Sequence, residues 1–128
     1  MNFLLDTHTF LWFVNDHPNL SNHLKDLIED DDNVSYFSMA SLWEMSIKFN
    51  LGKLRLDPNY EEFVEKEVIT SSIKLLKIEL EHLKLNAALP FHHRDPFDRL
   101  IIAQAVVENL PIMSVDSAFD KYSVNLIS

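Results

Sequence analysis

Acidic side chains are the residues of this sequence best suited to chemistry. Asp6 ends the short apolar run Asn2 to Leu5, and Glu44 stands in an apolar segment that opens at Ser38. Asp95 and Asp98 straddle Pro96, and Asp116 follows the run Pro111 to Val115. If Asp6, Glu44, Asp98 and Asp116 converge, they repel one another and some of their pKa values rise, unless a cation neutralises them. Hard oxygen donors select Mg²⁺ or Mn²⁺, and Mg²⁺ keeps several waters while bridging carboxylates to a substrate phosphate. Phosphodiester hydrolysis is the chemistry such a site serves.

Taken singly, each acid also has a purely structural explanation. Asp6 and Asp116 stand where a helix follows a strand, and an Asp capping free backbone amides stabilises a helix by ~1 kcal/mol. Asp95 is placed as an N-cap, with Asp98 as a first-turn carboxylate favoured by the helix dipole. Glu44 lies three residues after Ser41, so a capping box with Ser41 explains it if the helix starts late. Only the joint arrangement argues for catalysis. Other chemistries drop out by composition. With no cysteine there is no thiolate metal site, disulfide or cysteine nucleophile, and one glycine excludes a phosphate-cradling or dinucleotide-binding glycine turn. His92 and His93 are adjacent, a spacing that seldom points two rings at one ion, and they read as solvated loop residues. His8 either lines the site beside Asp6 or is simply a polar residue of the first helix, the reading preferred here. Trp12, Trp43 and the phenylalanine-rich stripes read as core.

The elements that must position these acids follow from periodicity. Asn2 to Leu5 reads as a strand leading into a helix through Phe10, Leu11, Trp12 and Val14, and a second helix starts at Ser21 and ends before the acidic loop Glu29 to Asp32. Val34 to Phe37 is a strand and Ser38 to Phe49 a helix, with Gly52 at its C-terminal cap. Asp57-Pro58 opens a helix to about Glu67, Ile73 to Ile78 is a strand, and Leu80 to Leu89 is a helix. Asp95-Pro96 starts a long helix through Leu100, Ile101, Ala105 and Val106. Pro111 to Val115, a short helix from Ser117 to Tyr122, and a strand from Val124 to Ile127 complete the series. Short apolar strands alternating with helices predict an α/β/α sandwich around a central parallel sheet, with ligands beyond the carboxyl ends of the strands where the strand order reverses.

At 128 residues the chain has the length of one domain, and 47% hydrophobic with 24% charged residues matches an ordinary folded protein. Neither a membrane-spanning run nor a basic segment opening a signal peptide is present, so a cytoplasmic location is the expectation. The net charge of −9 runs against a nucleic-acid surface, which normally meets phosphates with Lys and Arg. Acids gathered around divalent cations reverse that local field, and a basic protein partner also suits it. Lys48, Lys53, Arg55, Arg94 and Arg99 are the candidate phosphate contacts.

Five blocks carry a family resemblance. Leu4-Leu5-Asp6-Thr7-His8-Thr9-Phe10-Leu11-Trp12, Ser38-Met39-Ala40-Ser41-Leu42-Trp43-Glu44-Met45-Ser46-Ile47-Lys48 and Leu51-Gly52-Lys53-Leu54 resemble the corresponding segments of PIN-domain, VapC-like toxins of type II toxin–antitoxin pairs. So do His93-Arg94-Asp95-Pro96-Phe97-Asp98-Arg99-Leu100-Ile101-Ile102-Ala103-Gln104-Ala105 and Ser114-Val115-Asp116-Ser117-Ala118-Phe119, in the same order. The resemblance implies an acidic pocket of Asp6, Glu44, Asp98 and Asp116 that binds one or two Mg²⁺ or Mn²⁺ ions. It implies endonucleolytic cleavage of RNA to a 3′-hydroxyl and a 5′-phosphate. Asp6 and Asp98 are then the principal ligands, Glu44 and Asp116 complete the set, and Ser114 steadies the pocket by a hydrogen bond. Thr7, Asp95 and Arg99 are expected beside them, supporting the ligands or meeting substrate. The family also dimerises and is inhibited by a cognate antitoxin that inserts basic side chains among the acids. Two other readings compete: a catalytically silent interaction domain on the same fold, and a phosphoacceptor signalling domain. The second wants paired acids after the first strand, where this chain has Asp6-Thr7.

Overall fold

Strands and helices alternate in the structure, a computed structural model that describes residues 1–91 and 95–128. Strand β1 (Asn2–Leu5) leads into α1 (Thr7–Val14) and α2 (Asn22–Glu29), then β2 (Val34–Ser38) into α3 (Met39–Asn50). Helix α4 (Tyr60–Val64) continues as a π-helical turn, Glu65–Ile69, before β3 (Lys74–Leu76) and α5 (Leu80–Ala88). Helix α6 (Pro96–Glu108), β4 (Ile112–Met113), a 3₁₀ turn (Ser117–Lys121) and β5 (Leu126–Ile127) follow.

All the pairings are parallel and the strand order is β3-β2-β1-β4-β5. The chain therefore winds outward from β1 to β3, then returns to the other side of β1 with β4. The order reverses between β1 and β4, and the carboxyl ends of those two strands form the crevice where ligands of such sheets collect. Side chains alternate across β1: Phe3 and Leu5 join a core with Phe10, Leu24, Phe37, Met45 and Phe63, whereas Leu4 joins a second with Ile101, Ile102, Ile112 and Phe119. A strand buried on both faces reads as a continuous apolar run, and helices cover the two sides of the sheet. This is the expected α/β/α sandwich.

The ends of α3 matter most for the site. Ser38 is both the last residue of β2 and the N-cap, its hydroxyl accepting from Ala40 N–H at 2.9 Å. Gly52 closes the other end at φ 73°, while Lys53 N–H returns to the Lys48 carbonyl at 2.8 Å. Several expectations change. Strand β3 is three residues long rather than Ile73 to Ile78, and β4 and β5 are two residues each rather than Pro111 to Val115 and Val124 to Ile127. The helix expected from Asp57-Pro58 begins at Tyr60, because Asn59 supplies the cap by accepting from Glu62 N–H at 2.9 Å. Trp43 is not core. It is 55% exposed and shares the outer face of α3 with Ile47 and Leu51 at four-residue spacing, its ring set edge to face with Phe97 at 5.0 Å. Trp12 is half-buried. Among the described residues, no helix is long and apolar enough to cross a membrane.

Candidate active site

Asp6 leaves β1 at the crevice and is 4% exposed. Its Oδ1 accepts from Thr9 N–H at 2.7 Å, capping α1, so the capping explanation is correct for this residue. A carboxylate has two oxygens, however, and capping occupies one. Oδ2 accepts a short hydrogen bond from the fully buried Ser114 hydroxyl, beyond the end of β4. The same hydroxyl accepts from Asp116 N–H at 3.0 Å. Ser114 thereby ties the ends of the two switch-point strands together.

Glu44 is 3% exposed although it is a carboxylate in mid-helix. The helix begins at Ser38 rather than Ser41, which removes the capping-box explanation. The Thr7 hydroxyl lies 2.8 Å from the Ser41 hydroxyl and 2.9 Å from Glu44 Oε1. An ionised carboxylate only accepts and a hydroxyl has one proton, so Thr7 donates to Glu44 and receives the Ser41 hydroxyl as its own donor. The other Glu44 oxygen, Oε2, accepts from Lys48 Nζ at 2.7 Å.

The opening of α6 supplies the remaining acids. Asp95 caps it, Oδ1 accepting from Phe97 N–H at 2.8 Å and Asp98 N–H at 3.2 Å. Asp98 sits half-buried in the first turn. Burial, reinforced by the charges of Asp95, Glu44, Asp6 and Asp116, pushes its pKa up to about 8. Those four influences record the convergence: acids from β1, α3, α6 and the segment after β4 all reach Asp98. Asp116 is exposed and caps the 3₁₀ turn, its Oδ1 accepting from Ala118 N–H at 2.9 Å.

The donors are anionic oxygens, a set that suits a hard divalent cation, and Asp98 carries the cost of their repulsion in the absence of one. Among the described residues, no three acids or histidines close into a ready-made metal cage; the carboxylates surround a shared region without forming a coordination sphere. Charge marks the site better than shape does. Hollows of about 210 Å³ beside Phe13, Ile28 and Ile73, and about 250 Å³ beside Leu85, Ile102 and Tyr122, lie elsewhere.

Other expected participants are placed differently. Arg99, expected beside substrate, turns its guanidinium to the end of α5, donating to the carbonyls of Pro90 at 2.9 Å and of Asn86 and Leu89 at 3.4 Å, with Phe91 against its face. Asn86 lies in the last turn of α5, where its carbonyl also accepts from Leu89 N–H at 3.4 Å, and Leu89 and Pro90 follow it; carbonyls at a helix end lack the i+4 donors of the interior, which explains the attraction. Arg55 lies out in solvent near Asp57 and Lys53 is exposed, while His8 is an exposed residue of α1, in keeping with its preferred reading as a polar residue of the first helix. His92, His93 and Arg94 lie outside the described residues. Sequence reasoning missed Ser41 as a partner of Thr7. It also missed Gln104, a fully buried side chain that accepts from the Ser38 hydroxyl and donates to the Lys77 carbonyl at 3.3 Å, holding the start of α3 against α6. A Gln inside an otherwise apolar helix face was its only signal.

The family model of the PIN domain matches residues 3–125. No curated protein sequence matches the chain. Among solved structures, the chain is similar to VapBC2 from Rickettsia felis bound to a DNA fragment from its promoter, with a TM-score of 0.74 and 16% identity over 99% of this chain and 98% of that one. DNA-bound VapBC from Salmonella typhimurium gives 0.72 and 15% identity over 99% and 97%. VapBC-5 from Mycobacterium tuberculosis, of the VapBC family of toxin–antitoxin systems, gives 0.64 and 18% identity over 98% and 97%.

Proposed function

The chain belongs to the PIN-domain family, and from that premise we propose that it is the toxin of a toxin–antitoxin pair, acting as a Mg²⁺- or Mn²⁺-dependent endoribonuclease. The observation that carries this reading is the convergence on Asp98 of charge from Asp6, Glu44, Asp95 and Asp116. Asp6 and Asp98 would hold the metal, with Glu44 and Asp116 completing the set directly or through water and Asp95 at its border. When bound, a divalent metal supplies water activation at neutral pH and stabilises charge on the leaving oxygen of an in-line displacement. The chain's own part is orientation. Ser114 fixes Asp6, Thr7 fixes Glu44, and the caps of α1 and α6 set the backbone from which Asp6 and Asp98 project.

The similarity to VapBC complexes supports an antitoxin as partner, and the net charge of −9 favours a basic segment within it. A homodimer acting in the cytoplasm completes the proposal. A second reading, a silent interaction domain, draws on the fact that Asp6, Asp95 and Asp116 all cap helical turns. The test is cleavage of structured RNAs by purified protein in Mg²⁺, Mn²⁺ or EDTA, beside an Asp98→Asn variant that excludes contaminating nuclease. Metal-dependent cleavage that disappears in the variant is expected. A variant as active as its parent refutes the site, and absence of both metal binding and cleavage in the parent favours the silent domain.

A further inference from the structure

A cation already reaches into the acidic cluster from α3. Lys48 follows Glu44 by four residues, the order in which such a pair is favoured on a helix, and its Nζ stands 2.7 Å from Oε2 of a carboxylate that is otherwise buried. The pair is unlike the surface ion pairs of this protein. Lys25 meets the fully solvated Asp16 and Lys84 the exposed Glu81, whereas the Lys48 ammonium also lies within electrostatic reach of Asp95 and Asp98 on another helix. Its side chain is 43% exposed, so the ammonium sits at the rim, with one side on the acids and one on solvent. Arg99, the other basic residue closest in sequence to the acids among those described, is committed to the end of α5.

Glu44 therefore has both oxygens engaged, the inner by Thr7 and the outer by Lys48. An ion that recruits this carboxylate competes with the ammonium for Oε2. A lysine displaced by it keeps its tether, one turn along the same helix, and its compact charge then faces whatever anion the metal holds. We propose that Lys48 is a substrate-binding residue of this site: its ammonium neutralises Glu44 until a divalent cation takes over that carboxylate, and then contacts a non-bridging oxygen of the substrate phosphodiester. This rests on the nuclease reading above and names the group that meets the phosphate in a chain poor in basic residues.

The experiment measures binding rather than turnover, on the full chain as parent, Lys48→Met and Lys48→Arg. Calorimetry with Mn²⁺ alone should show Lys48→Met binding roughly tenfold more tightly, the scale on which removing one unit charge a few ångströms from a divalent ion acts in a water-like medium. Fluorescence anisotropy of a labelled random-sequence oligoribonucleotide, with Ca²⁺ present, should show the same variant binding RNA roughly tenfold more weakly, as for loss of one charge-assisted hydrogen bond. Lys48→Arg should recover most of the RNA affinity. Opposite signs for metal and RNA are what a merely structural lysine would not give. Mn²⁺ binding that weakens or does not change in Lys48→Met, or RNA binding indifferent to it, overturns the proposal while leaving the nuclease reading standing. A parent that binds neither Mn²⁺ nor RNA overturns both.

Discussion

Asp98 occupies a costly position, half-buried in the first turn of α6 with four other carboxylates acting on it. Its folded-state pKa of about 8 lies above the ordinary 3.8, so between those values the folded chain holds a proton that the unfolded chain has released. Stability of the metal-free protein should therefore fall as pH rises from about 4 to 8, the full cost being felt above the folded value. Urea denaturation in EDTA should show Asp98→Asn removing most of that slope and gaining about 1–2 kcal/mol at pH 8.5, a figure reduced for solvent screening. An equally steep slope in the variant would remove the electrostatic account. The acids themselves could be picked out from sequence because strand ends and helix starts are visible there. Their local roles were also visible: Asp6, Asp95 and Asp116 do cap, and capping left them compatible with a shared site. What could not be read was the Thr7–Glu44 contact, since it depends on α3 lying against the start of α1. The orientation of Arg99 was hidden for the same reason, being decided by α5.

Helix α3 delivers both Glu44 and Lys48, and its start is fixed by one hydroxyl. Ser38 accepts from Ala40 N–H and donates to Gln104, whose amide in turn reaches the end of β3. Ser38→Ala removes the cap and leaves a buried Gln104 oxygen without its donor, so a loss of about 2–3 kcal/mol is expected in urea denaturation. Mn²⁺ affinity should drop several-fold in the same variant, because the helix start is no longer held in register with β1 and α6. A loss under about 0.5 kcal/mol would show that the Ser38–Gln104 link does not hold the helix. Periodicity and caps identified α3 and α6 because those elements are long and bounded by Ser38, Gly52, Asp95 and Pro96. It overextended β3 and misplaced the start of α4, where pairing with a neighbour and an Asn cap decide the ends. The exposure of Trp43 was likewise out of reach: apolar spacing alone does not say which apolar residues of a helix face inward.

At the scale of the whole molecule, a surface with nine net negative charges repels the polyanion it is proposed to cut. RNA binding should then be negligible in EDTA and appear only with a divalent cation, which anisotropy at fixed ionic strength would check. Strong binding in EDTA would mean that a basic surface outside the acidic cluster carries recognition. The order of the sheet has a further consequence. Strands β1, β2 and β3 can pair in the order in which they are made, but β4 must return to β1, and Ser114 meets Asp6 across 108 positions of sequence. A nascent chain that has not yet reached Asp98 carries only Asp6 and Glu44 of the four acids. A chain stopped before α6 therefore holds two of those acids and no clasp on Asp6, so the acidic cluster is assembled only when β4 returns to β1.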